Sequence, residues 1–337
     1  MKKAFITGIT GQDGAYLASA LLAEGYHVTG SSRKLDDNFA WRLKSLNIFD
    51  VIDIRQINLT DQHEVEDLIR FEKYDEVYNL ASQSSVALSW ELPISTTMAN
   101  SVAVLYLLEA IKLHSPETKL FQASSSEILG SVNESTFGDH SSFDPTNPYA
   151  VSKVYSHHML NLYRQAFGLR FCSAILFNHE SPLRGENFLT RKITTALAEI
   201  KMGSERILEL GDLNAQRDLG YAPEYVHGIQ SIMQASKPDD FELATGTLTS
   251  VRQFIDYTAE ALDLRLEFHG SELNEVAIDR DTGKTVLQVN SKFYRPGDRG
   301  HRTSTDTKAK TILNWQPQTS TRELAHIMAK ADYDRLQ

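Results

Sequence analysis

Apolar and polar positions switch between two periods along the first half of the chain. Short β-rich runs stand at Ala4–Thr7, Val28–Ser32, Val51–Asn58, Glu76–Ala81, Lys119–Ala123 and Arg170–Phe177. Between them, apolar residues recur at helical spacing over Tyr16–Ala23, Thr97–Leu113 and Tyr149–Phe167. In Thr97–Leu113 the stripe is Val102, Leu105, Leu108 and Ile111. Strands alternating with helices predict right-handed βαβ units and a parallel sheet covered on both faces. The second half is less regular. Helical patterns cover Leu189–Lys201, Val251–Leu262, Thr305–Leu313 and Arg322–Leu336. The stretch Gly270–Arg299 is polar, with a turn at Pro296-Gly297. No internal repeat, low-complexity segment or flexible linker interrupts the chain.

Length and charge narrow the possibilities. The 337 residues suggest about two domains. A net charge of −10 with no basic run points away from nucleic acid and from anionic membranes. It leaves room for an anionic ligand if a few Arg and Lys gather in one cleft. Arg184, Arg191, Lys192, Arg217 and Arg295 are spread through the second half and supply that option. A single cysteine, Cys172, excludes an intrachain disulfide framework and a cysteine-based metal cage, and no metal site is expected. The N-terminus has no signal-peptide pattern, and the longest uninterrupted apolar run is Val102–Leu108. A soluble, cytoplasmic protein is expected.

Three clusters carry chemistry. Gly8, Gly11 and Gly14, with Gln12 and Asp13 between them, lie where the first strand turns into the first helix. Such a loop brings backbone and a helix N-terminus against a pyrophosphate, so dinucleotide binding is expected. After the second strand come Arg33 and Lys34 rather than an acid, which favours the 2′-phosphate of NADP. Asp36 and Asp37 behind them keep NAD open. Tyr149 and Lys153 form the chain's one YxxxK, four apart at the start of a helix. An ammonium there would lower the phenol's pKa and make it a base. Upstream, the fifth strand ends in Ser124-Ser125-Ser126-Glu127. Oxidising an alcohol needs only the Tyr, the Lys and a hydroxyl, so Glu127 implies further proton chemistry. The plainer alternative is a Ser–Glu turn that caps a helix.

Glycine loop, hydroxyl-bearing strand end and YxxxK, in that order, resemble the extended short-chain dehydrogenase/reductases. Within them the chain resembles the GDP-mannose 4,6-dehydratases, from about Lys3 to the C-terminus. The most specific marks are Thr7–Leu17, Asn79–Ser84, Ser125–Glu127, Pro148–Lys153, Leu176–Ile193, Gly211–Val226 and Phe293–Pro296. The resemblance implies a Rossmann-type doubly wound parallel sheet with a smaller, mostly C-terminal α/β substrate lobe. It implies an NADP-binding domain over residues 1–177, with a return segment near 213–235, and a mainly GDP-sugar-binding domain over 178–337. It further implies NADP contacts from Gly8, Gly11, Gln12, Asp13, Gly14, Arg33, Asn58, Leu59, Leu80, Ala81, Ser82, Ser84, Tyr149, Lys153, His179 and Arg184. The implied catalytic set is Ser125, Glu127, Tyr149 and Lys153. Ser84, Ser126, Asn178, Lys192, Arg217, Arg295 and Asp298 would hold the GDP-sugar. A homodimer or homotetramer is implied as well.

Some positions depart from the family's pattern. Ser125 stands for its Thr, Asn58 for an Asp and Ser95 for a Tyr. Leu183-Arg184 replaces a double Arg, and Asp298 a Glu. The expected activity is an NADP-dependent nucleotide-sugar 4,6-dehydratase, most simply GDP-mannose to GDP-4-keto-6-deoxymannose. A 4-epimerase, 4-reductase or 4-dehydrogenase on the same scaffold, or a dehydratase of a different GDP-sugar, is the nearest alternative, and Glu127 argues against a simple reductase or epimerase. A non-catalytic NADP-binding protein is more distant, because both Tyr149 and Lys153 are present.

Overall fold

The structure is a computed structural model that describes residues 1–33, 40–130, 143–294 and 303–337. Seven strands form one parallel sheet: β1 (Lys3–Thr7), β2 (His27–Ser32), β3 (Asp53–Gln56), β4 (Glu76–Asn79), β5 (Lys119–Ala123), β6 (Phe171–Leu176) and, much later in the chain, β10 (Asp240–Leu243). Their spatial order is β10-β6-β5-β4-β1-β2-β3. The order reverses between β1 and β4, which opens a crevice at the carboxyl ends of these strands. This is the doubly wound α/β fold expected from the pattern.

Helices cover both faces. On one side α1 (Gln12–Ala23) and α9 (Ala222–Gln234) pack with Ile6, Val28, Phe121 and Ile229 in a buried core. On the other lie α3 (Gln62–Glu72), α6 (Ala103–His114) and α7 (Pro148–Phe167), around Phe5, Leu68, Val77, Leu107 and Phe171. Helix α2 (Trp41–Ser45) follows β2, while α4 (Val86–Glu91) and α5 (Pro93–Thr97) precede α6. A further core joins α8 (Leu189–Lys201), α10 (Val251–Ala261) and α12 (Thr321–Leu336) with β8 (Leu208–Leu210). Short β7 (Asn178–Glu180), β9 (Gln216–Tyr221) and β11 (Leu248–Ser250) form a three-stranded sheet. Strands β12 (Leu266–His269), β13 (Val276–Asp279) and β14 (Thr285–Val289) continue from β8 in a four-stranded one. Helix α11 (Lys308–Leu313) lies against α9 and β10.

Several expected elements change on inspection. Residues Phe49–Val51 form a tight turn, so the third strand is confined to Asp53–Gln56. The fourth strand stops at Asn79 rather than Ala81. The helix expected over Thr97–Leu113 runs continuously over Pro93–His114 through a π-helical segment at Met98–Val102. By length and composition this segment could cross a membrane. Counting only uninterrupted apolar runs hid that, because Ser, Thr and Asn are interspersed. Here Val104, Leu107, Leu108 and Ile111 are buried against the sheet. Helix α3 went unrecognised despite Asp61, whose carboxylate caps it by accepting from His63 and Glu64 N–H. The polar stretch after Gly270 contains β13 and β14, and the Pro296-Gly297 turn lies outside the described residues.

Candidate active site

The glycine loop is built for close approach. Gly8 has φ +68°, and a Cβ there would sit 2.9 Å from the Ala81 backbone. A Cβ on Gly14 would meet the Gly8 carbonyl at 2.4 Å. Both glycines therefore serve the turn itself. Gly11 differs: a Cβ there would meet only the Gly8 carbonyl, at 3.1 Å, so the space before it is open. No side chain caps the N-terminus of α1. An open cradle facing free N–H groups fits a dinucleotide's phosphates. The neighbouring strand is tied in by Thr7, whose hydroxyl donates to Asn79 Oδ1 (2.6 Å) and accepts from Leu80 and Ala81 N–H (3.0 and 2.9 Å). Asn79 in turn donates to Gln122 Oε1 (2.7 Å), so β1, β4 and β5 are linked along the crevice.

The side chains of Asp13 and His179 are spent on each other. His179 Nε2 lies 2.9 Å from Asp13 Oδ2, and its Nδ1 lies 2.7 Å from the Phe177 carbonyl. Both ring nitrogens face acceptors, an arrangement that favours the doubly protonated ring. Burial opposes that charge, but Asp13 and the Phe177 carbonyl outweigh it and raise the pKa of His179. Burial likewise opposes the Asp13 carboxylate, yet the imidazolium and Gln12 bring it down to about 2. Gln12 donates to the His179 carbonyl (3.1 Å) and accepts from Ser181 Oγ (2.8 Å). The ring of His179 stacks on Tyr225, with centroids 4.7 Å apart. Glycine loop and β7 thus form one unit, with the Asp13 carboxylate engaged in joining them.

Tyr149 and Lys153 occupy the first turns of α7 and are both buried. Lys153 Nζ is 5.8 Å from the Tyr149 ring centroid and donates to the Ala123 carbonyl (2.9 Å). Burial lowers Lys153 to about 8. The expectation that Lys153 sets the phenol's acidity is not met. Burial dominates and raises Tyr149 to about 12, with Glu127 adding to it and hydrogen bonds from Ser125 and Ser82 opposing it. Ser82 donates to Asn100 Oδ1 (3.0 Å), within the π-helical turn. At the end of β5, Ser125 accepts from Glu127 N–H (3.3 Å) and opens a short turn over Ser126–Leu129. The plainer capping alternative therefore describes Ser125. Buried Ser124 Oγ has no partner among the described residues.

Asn147 was missed. Its Oδ1 accepts from Ala150 N–H (2.8 Å), capping α7, and its Nδ2 donates to Glu127 Oε2 (3.1 Å). One side chain therefore joins the carboxylate to the helix start that carries the phenol. The signal was present: an Asn directly before a Pro at the first helical position is an N-cap pattern.

The remaining expected residues are dispersed around this centre. Arg33 is exposed at the end of β2. Trp41 begins α2 under the Arg42 guanidinium, 4.6 Å from its ring centroid. Asn58 is exposed and its Oδ1 accepts from Thr60 N–H and hydroxyl, while Leu59 packs partly into the core. Ser84 and Asn178 are exposed. Lys192 donates to the Glu209 carbonyl (2.6 Å) and lies 4.0 Å over the Phe293 ring, and burial lowers its pKa. Arg184 stacks on Phe188 at 3.7 Å beside buried Glu180. Arg217 donates to the Gln216 carbonyl (2.7 Å). Arg191 is not available to a ligand: it is 4% exposed and paired with Asp332. Arg295, Asp298, Asp36 and Asp37 lie outside the described residues. Among the described residues no acidic, His or Cys cluster could hold a metal.

Comparison with known proteins agrees with this geometry. A family model described as GDP-mannose 4,6 dehydratase matches residues 5–328. GDP-mannose 4,6-dehydratase from Sinorhizobium fredii is 39% identical, covering 99% of this chain and 97% of its own. The Vibrio cholerae enzyme of that name is 40% identical, with 98% and 94% covered. Among solved structures, RMD from Pseudomonas aeruginosa complexed with NADPH superposes with a TM-score of 0.78 at 20% identity, covering 99% of this chain and 100% of that one.

Proposed function

Because the chain belongs to the GDP-mannose 4,6-dehydratase family, a family of hydro-lyases, we propose that it removes water from GDP-mannose, giving GDP-4-keto-6-deoxymannose, with NADP as resident cofactor. The observation that carries this reading is Glu127, joined through Asn147 to the helix turn bearing Tyr149 and two residues from Ser125. A bound nicotinamide would accept hydride from carbon 4 of the sugar and return it to carbon 6. The chain's own groups handle the protons. Tyr149 takes the proton of the 4-hydroxyl, with Ser125 hydrogen-bonding the same oxygen, while Lys153, buried one turn further along the helix, is assigned to the cofactor. The 4-ketone acidifies the carbon 5 hydrogen, and Glu127 removes it. Water then leaves carbon 6 with proton assistance from Glu127 or Ser126, and as carbon 6 regains hydride a solvent-derived proton is delivered to carbon 5.

Arg33, at the tip of β2, supports NADP over NAD, since a guanidinium suits the 2′-phosphate. Lys192, Arg217 and Asn178 lie on the elements after β6 and are assigned to the GDP-sugar, as are Arg295 and Asp298. Residues 1–177 with a return near 213–235 form the cofactor domain in this reading, and most of 178–337 the substrate domain. A homodimer or homotetramer is the proposed assembly, in the cytoplasm. Incubation with GDP-, UDP-, dTDP- and CDP-hexoses in deuterated water tests the reaction. Loss of one water from GDP-mannose, with one deuterium at carbon 5, is expected. A product keeping its original carbon 5 hydrogen would exclude dehydration.

A further inference from the structure

The loop after β7 is held in an unusual way. Three consecutive carbonyls, those of Pro182, Leu183 and Arg184, each accept from a guanidinium. Arg191 of α8 reaches Pro182 (3.0 Å) and Arg184 (2.8 Å). Arg335 of α12 also reaches Pro182 (2.8 Å). Arg42 of α2 reaches Leu183 (2.6 Å) and, with another nitrogen, the Thr10 carbonyl of the glycine loop (3.0 Å). On the other side of the loop, Ser181 accepts from the Leu183 and Arg184 N–H groups (both 3.0 Å). The backbone of Arg184 is thus fixed at its N–H and at its carbonyl.

Two of these three guanidiniums depend on one carboxylate. Asp332, 3% exposed on the last helix, accepts from Arg191 Nε at 2.8 Å and pairs with its terminal nitrogen at 2.7 Å. It also accepts from Arg335 (2.5 Å) and from the Thr194 hydroxyl (2.6 Å). A buried ion pair is an expensive way to join α8 to α12. Leu324, Met328 and Ala329 close the same helix contact with apolar surface. What the charged pair adds is a set of N–H groups that project past the helices to the loop.

We propose that Asp332 is a positioning residue for the cofactor cleft: through Arg191 and Arg335 it sets the loop that presents Arg184. The proposal rests on the reading of Arg184 as a cofactor contact. The last helix, more than 140 residues away in sequence, is then part of the active-site framework rather than a cover for the C-terminal core.

The test replaces the buried pair by an apolar one, R191M/D332L, which preserves packing while removing the donors to the loop. Three quantities are read: NADPH affinity by fluorescence titration, KM and kcat with GDP-mannose, and Tm. Expected is a folded protein whose NADPH affinity falls about tenfold, since small misplacements of a binding group are costly. At saturating cofactor kcat should stay within about twofold, because the groups that move protons are untouched. Wild-type NADPH affinity in a folded double variant would overturn the proposal. If that variant does not fold, Arg335→Ala removes a more exposed member of the clamp, and unchanged NADPH affinity there overturns it equally. Arg184→Ala separates the two levels. Should it bind NADPH like the wild type, the assignment of Arg184 itself fails. Should it bind weakly while R191M/D332L binds normally, only the positioning role of Asp332 fails.

Discussion

The two walls of the crevice are built by different means. On the sheet wall, each candidate site residue sits where a strand ends or a helix begins: Gly8–Gly14 after β1, Ser125–Glu127 after β5, Tyr149 and Lys153 at the head of α7. The backbone itself places them, within a few residues of an element boundary. On the opposite wall, Ser181–Arg184 is held by side chains from α2, α8 and α12. Its geometry depends on pairs separated by up to about 150 residues. A wall placed by secondary structure should lose function chiefly where a contacting or reacting side chain is itself changed. A wall placed by side-chain pairs should show graded losses in affinity.

The largest effect should come from the reacting group on the sheet wall. Tyr149→Phe is expected to lower kcat by about 10²–10⁴, the range for a general base, with cofactor and GDP-sugar affinity nearly unchanged. A fall confined to affinity would break the division between the walls. Next comes Arg33→Ala. NADP(H) should bind roughly tenfold more weakly, about the worth of one charge-assisted contact, while NAD(H) is little affected. Equal losses for both cofactors in a titration would remove the 2′-phosphate assignment.

A smaller effect is expected at Asn147, which serves the sheet wall twice. Asn147→Ala should cost about 1 kcal/mol through loss of the α7 cap, read by chemical denaturation. Asn147→Asp should restore the cap but set a like charge beside Glu127. If the hydrogen bond to Glu127 matters, Asp at 147 will recover stability without recovering kcat. Recovery of both would reduce Asn147 to a cap.

The same contrast explains what could be read from the residues alone. Glycines before a helix, a Tyr and Lys four apart and a strand ending in Ser-Ser-Glu are local patterns, and local geometry is encoded locally. The parallel sheet followed from period and alternation in the same way. Asp332, Arg42 and the His179–Asp13 pair carry no such mark. Asp332 looks like any acid on a helix face, and only the packing of α12 on α8 makes it a buried anion. Arg191 looked like a ligand for a diphosphate, and its burial against Asp332 was invisible in spacing. The short strands β13 and β14 escaped because Gly270–Arg299 reads as polar, and β12, just before it, is only four residues long.

A stability effect of comparable size, and the most diagnostic one, lies where the two walls meet, at the pair joining Asp13 of the glycine loop to His179 of β7. The His179 pKa is raised above its ordinary 6.5 in the folded protein. Its contribution to stability is therefore complete below 6.5 and is lost as pH rises through the folded value. Asp13 runs the other way. Its carboxylate is held at about 2 against an ordinary 3.8, so its contribution is present above 3.8 and lost as pH falls through about 2. Between these limits the pair is intact. Losing one charge-assisted hydrogen bond on the alkaline side is worth about 1.5 kcal/mol, a fall of a few degrees in Tm. His179→Gln should flatten that alkaline decline, because an amide keeps a donor toward Asp13 but does not titrate. NADPH affinity should follow the same profile, since the pair fixes the glycine loop against β7. A His179→Gln protein whose Tm still falls through the same pH window would show that another group titrates there. The seam between the walls would then be held by the hydrogen bonds of Gln12 and Arg42 rather than by the Asp13–His179 pair.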